Sequence, residues 1–188
     1  MALTKLNAVR GLTGATPVAN GGTALTSVFV NGGGLSSAQT FRLTTSFTDG
    51  VSYITSNWEE VDTDGYGQLG SNVSESSGIF SFSATGIYLI IFNHVAILNG
   101  DDRQVYSAIF TTTNNSSYDV AAESREFIQQ TASSSAMCTG SCFHQFDVTS
   151  TTNCKVRFQV DVLNSSTSTS GDSGNTKTGV QFIRLGDT

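Results

Sequence analysis

The chain has 188 residues, 38% of them hydrophobic and only 13% charged, with a formal net charge of −6. That length suits one domain with an added segment. Nine scattered Lys and Arg in an acidic chain exclude a phosphate-reading surface and so a nucleic-acid partner. The longest apolar run, IYLIIF from Ile87 to Phe92, is too short for a signal core or a bilayer span, which predicts synthesis in the cytoplasm and no membrane partner.

Residues 1–37 hold the only proline, Pro17, and clusters of glycine, without a helical or alternating pattern. We expect an extended N-terminal arm here, followed by one head domain over residues 38–188. The arm's few apolar side chains, Leu12, Val18 and Leu25, with Pro17 stiffening its middle by fixing φ, are the candidate anchoring residues. A backbone this open is suited to an extended path across another protein, adding main-chain hydrogen bonds to an edge or groove.

Past the arm, period-two alternation dominates, as expected of half-buried strands. TFRLTTSF alternates through Phe41, Leu43 and Phe47, and VSYITSNWEEV follows as a further strand candidate. A turn-rich stretch, DTDGYGQLGSN, precedes the candidate strand GIFSFSA. Next comes GIYLIIFNHVAIL, apolar in both phases: Tyr88, Ile90 and Phe92 in one, with His94, and Ile87, Leu89, Ile91, Val95 and Ile97 in the other. A sandwich strand ordinarily keeps one face in water, so this one asks for a second cover, and a partner subunit supplies it. Tyr88, Ile90, Phe92 and His94 are the candidate interface residues.

RQVYSAIFTTT predicts the next strand, the polar TTNNSSYD a loop, and VAAESREFIQQ is the one segment that can be argued as helix. CFHQFDV places Cys142, His144, Phe146 and Val148 in one phase, and CKVRFQVDV places Cys154, Val156, Phe158, Val160 and Val162 in another. LNSSTSTSGDSGNTKTG reads as loop, and GVQFIRLG as the final strand. Many short strands with polar connections predict an all-β fold, a β-sandwich or barrel with jelly roll among the options.

Several motifs touch on chemistry. Cys138, Cys142 and His144, with Cys154, lack the paired spacing of a zinc site, and three cysteines are too few for a disulfide scaffold, so we expect reduced core residues. His94 has neither a nucleophile nor an acid at a recognisable spacing. DTDGYGQ lacks the remaining ligands of a calcium loop. The adjacent acidic pairs Glu59/Glu60 and Asp101/Asp102 are not separated as a glycosidase requires. The reading is a non-enzyme with no catalytic residue, no metal site and no cofactor.

NWEEVDTDGYGQLGSNVSESSGIFSFSATGIYLIIFNHVAI resembles the middle of the tumour-necrosis-factor-like globular heads, complement heads among them. The matching pieces are Gly78-Ile79-Phe80 and Gly86-Ile87-Tyr88, which opens the long apolar strand; CKVRFQV and GVQFIRLGD sit where that family has a late inner strand and its last strand. The resemblance implies a jelly roll and a homotrimer packed through one apolar sheet. A second stretch, LTGATPVANGGTALTS, resembles segments near the start of tailed-bacteriophage fibre and virion-surface proteins. Together the two imply a structural protein at the virion surface, most readily a capsid decoration (cement) protein, with other virion proteins (major capsid protein or tail components) as partners. The alternative is a short tail fibre or receptor-binding adhesin tip that meets a host surface glycan through its polar loops.

Overall fold

The computed structural model describes residues 35–51 and 53–188. The arm's anchoring candidates Leu12, Pro17, Val18 and Leu25 lie outside the described residues. Residues 35–188 form one compact unit. Twelve strands build it: β1 (Ser37–Leu43), β2 (Thr45–Thr48), β3 (Trp58–Glu60), β4 (Val73–Ser76), β5 (Ile79–Phe82), β6 (Gly86–Leu98), β7 (Asp102–Thr112), β8 (Asp119–Ile128), β9 (Ala136–Val148), β10 (Lys155–Val162), β11 (Ser168–Asp172) and β12 (Gly179–Gly186). The expected all-β fold is what the chain adopts.

The strands form two antiparallel sheets. One, of seven strands, runs β2-β11-β6-β12-β1-β3, with β9 on the far side of β6; the other runs β4-β5-β10-β7-β8. β6 is the spine of the larger sheet. It pairs with β9 from Gly86↔Val148 to Leu98↔Ala136, and its other edge is shared between β12 and β11. Val51 and Ile54 continue the smaller sheet past the short β5: Val51 N donates to Val160 O at 2.8 Å and Ile54 N to Phe158 O at 2.9 Å.

Alternation puts one phase of each inner strand into the space between the sheets. All five apolar or sulfur side chains predicted inward on β10 are buried. Phe80 is fully buried, with ring centroids of Phe41, Trp58, Phe158 and Phe182 at 5.2, 5.4, 5.1 and 5.3 Å. Three of these contacts are edge-to-face, the arrangement that the ring quadrupole favours. Truncating Phe80 to Ala removes about 3–5 kcal/mol of packing.

Two glycines set the turns that deliver β5 and β6. Ser77 and Gly78, both with positive φ (52° and 76°), make the two-residue connection of the β4–β5 hairpin, whose twist suits flanking strands. Gly86, at φ 141°, opens β6; a Cβ there would lie 2.5 Å from Gly186 O.

The structure differs from the sequence reading in four segments. The segment argued as helix is β8, paired with β7 along most of its length. Its inward positions carry Ala122, Ser124 and Glu126, so an edge strand with few apolar residues looked like a polar helix turn. β11 lies in a segment read as loop, and β4 and the N-terminal half of β9 lie where no strand was predicted, because Ser, Thr and Gly fill them.

Candidate functional site

β6 presents two apolar faces, and each has a different neighbour. Tyr88, Ile90 and Phe92 have no exposed surface and His94 is 1% exposed: all four point between the sheets of their own chain. The Tyr88 hydroxyl donates to Ala84 O at 3.0 Å, and Phe92 packs 4.8 Å from Phe158, ring centre to ring centre. These four candidate interface residues are therefore core residues of the single chain. The phase open to a partner is the other one, since one chain's sandwich covers only one face of its sheet.

That outward phase carries Ile87, Leu89, Ile91, Val95 and Ile97, interrupted by Asn93. The ladder extends it sideways. Phe143 on β9 stands opposite Ile91 and is 73% exposed; Met137 stands opposite Ile97 and is 69% exposed. On β12, Ile183 stands opposite Leu89. The result is an apolar strip along β6, broken at Asn93 and flanked by two large side chains held mostly in water. Solvation of such a face is unfavourable by ~25 cal/mol per Å2, and patches of this kind mark contact surfaces.

Sequence reasoning found this strand but missed β9's share of the face. Met137 and Phe143 are separated by Thr139 and Ser141 in the same phase, which breaks the apolar pattern. The pairing register, not the composition of β9, brings Phe143 beside Ile91.

His94 sits at a polar break in the interior. Its Nε2 lies 3.0 Å from Thr169 Oγ1, its Nδ1 has no partner, and burial pushes its pKa down to about 4. Gly140 faces it across the β6–β9 ladder, and a Cβ on Gly140 would touch Ser107 Oγ at 3.1 Å. Ser107 Oγ is likewise buried without a partner. Thr169, its hydroxyl partner, is itself 1% exposed, and among the described residues no carboxylate is bonded to His94.

Cys138, Cys142 and Cys154 are free thiols; burial raises Cys138 and Cys142 to about 11, so neither is a thiolate at neutral pH. His144 lies beside Phe146, ring centroids 6.1 Å apart. Among the described residues no group of three or more His, Cys, Asp or Glu is placed to hold a metal ion. In the DTDGYGQ segment, Asp62 is paired with a protein cation: Arg42, 1% exposed, donates to Asp62 Oδ1 at 3.1 Å, to Glu59 Oε1 at 2.6 Å and to Thr63 Oγ1 at 2.8 Å. Asp102, also buried, accepts from Leu163 N, Asn164 N and Thr167 Oγ1 and so ties the loop after β10 to the β6–β7 turn.

No family model matches the sequence, and no curated protein matches it. Solved structures do match. Murine APRIL at pH 5.0 has a TM-score of 0.56 at 13% identity, over 79% of this chain and 98% of that one. Eiger TNF from S. frugiperda has a TM-score of 0.57 at 12% identity, over 80% and 93%. At these identities the likeness is one of fold, and the fold of the head is a tumour-necrosis-factor-like jelly roll.

Proposed function

We propose that this tumour-necrosis-factor-like head belongs to a non-enzymatic bacteriophage structural protein: a homotrimer at the virion surface, anchored by its N-terminal arm, acting in capsid decoration. The observation that carries the reading is the outward apolar face of the seven-stranded sheet. Phe143 and Met137, exposed by 73% and 69%, lie beside a row of five aliphatic residues on β6. A partner of the same kind buries them, each worth about 1.5–3 kcal/mol when fully covered. A threefold arrangement also lets each copy use the same surface around a closed ring.

Support for the particle comes from the sequence: the LTGATPVANGG stretch and a Gly-rich, unpatterned leader ahead of a compact head. One arm with two or three buried apolar side chains binds weakly, whereas three arms on one trimer act together when their sites are within reach. Support for a non-enzyme comes from the interior, where His94 and the buried thiols lack the partners that catalysis needs.

The test is deletion of residues 1–26 followed by mixing with particles that lack this protein. The proposal predicts a soluble head with an almost unchanged melting temperature that no longer attaches. Attachment by the truncated head places the anchor in the jelly roll and contradicts the role given to the arm.

A further inference from the structure

We propose that Arg157, packed against Tyr53 and Tyr118 on the outer face of the five-stranded sheet, is a recognition site for a carboxylate-bearing sugar. The site lies on the sheet opposite the apolar face and stands independently of how the chain assembles or attaches.

Arg157 occupies the outward phase of β10, between the buried Val156 and Phe158. Its guanidinium carbon is 4.8 Å from the ring centre of Tyr53 and 4.8 Å from that of Tyr118. Phe110, its ladder neighbour on β7, meets Tyr53 edge-on at 5.3 Å. The two rings stand 6.1 Å apart at 54° to one another, so they meet the guanidinium from adjacent sides and restrict its orientation, leaving its N–H donors as the remaining chemistry.

Among the described residues no acceptor pairs with those donors. Nε is buried without an acceptor, and among the described residues no carboxylate lies within ion-pair distance of Arg157. Acids on the same face are engaged elsewhere: Glu123 with Arg125 at 3.0 Å, and Asp161, which accepts from Gln104 Nε2 at 3.3 Å. Arg42 shows what this fold does with a structural arginine, since it is surrounded by Glu59, Asp62 and Thr63. Arg157 has two aromatic neighbours instead and, among the described residues, no acid.

A carboxylate is the acceptor whose two oxygens match two parallel guanidinium N–H groups. The surroundings select a sugar to carry it. Tyr118 ends the loop of residues 113–117, which is fully exposed and offers Asn115 and Ser116 side chains. Asn114 locks that loop by accepting from Ser116 N at 2.9 Å and Ser117 N at 3.0 Å. Aromatic rings for the apolar side of a pyranose, amide and hydroxyl groups for its rim, and a guanidinium for its acid form one surface.

The test is titration of the full chain with sialyllactose and with a glucuronate-containing tetrasaccharide, read by calorimetry, with lactose as the neutral control and tetraglutamate as an acidic peptide. The proposal predicts saturable binding of an acidic sugar, at least tenfold weaker for lactose and tetraglutamate. Arg157→Lys keeps the charge but loses the fork, and should weaken binding at least tenfold with the melting temperature within a few degrees. Tyr118→Leu, at the edge of the exposed loop, should do the same and serves if Arg157→Lys does not fold. Absence of saturable binding by both acidic sugars, or unchanged affinity in a folded variant, overturns the site. Equal affinity for tetraglutamate overturns the sugar and leaves acidic peptide as the ligand class.

Discussion

His94 shows how one buried polar residue couples this interior to pH. It is buried with a single hydroxyl partner, and burial lowers its pKa from 6.5 to about 4. Across the ladder it faces the backbone of Gly140. The folded state therefore prefers the neutral ring. Its contribution is fully present above pH 6.5 and falls away between pH 6.5 and about 4, by up to about 3 kcal/mol. Urea midpoints at pH 7 and pH 4.5 should differ markedly in the wild type, and the difference should shrink in His94→Leu. An equal pH dependence in both proteins would contradict a buried neutral imidazole. Sequence alone placed His94 correctly in the phase of Tyr88 and Phe92, but the break it makes was not legible. Thr169 comes from a strand distant in sequence, and only the pairing of β11 with β6 brings it beside His94.

Among the elements, β10 and β6 were the legible ones, for the same reason: unbroken alternation of large apolar residues. β6 also marks the limit of that signal. Both of its phases are apolar, so periodicity identifies a strand with two covered faces without saying which faces inward. The core decides, because Phe80, Phe158 and Phe182 fill one side and select Tyr88, Ile90 and Phe92. β8 and β11 were illegible, their residues being polar and their pairing supplied by β7 and by β2 and β6. Adjacent residues of β6 now give opposite expectations. Phe92→Asp puts an unpaired carboxylate into the sealed core and should cost more than about 4 kcal/mol, leaving little folded protein. Ile91→Asp puts it beside Phe143 on the outward face, and should leave a folded head, destabilised by about 1 kcal/mol or less, that no longer associates. Circular dichroism with sedimentation separates the two; a folded, associated Ile91→Asp protein would show that this face is not the contact.

At the scale of the whole molecule, two sheets divide the work. The seven-stranded sheet turns an apolar face outward along β6 and β9, whereas the five-stranded sheet turns out Arg157 and Arg125 stacked on tyrosines, with Glu123 and Asp161. The jelly roll was legible from strand spacing and from the Gly-aromatic pairs at Gly78 and Gly86, both of which sit at turns with positive φ. The central claim is association of three copies through the outward face of β6 and β9. Its most direct test is the mass of the intact chain by sedimentation equilibrium at micromolar concentration. The account predicts a single species of three times the 19.8 kDa chain mass; a stable, soluble monomer would contradict it.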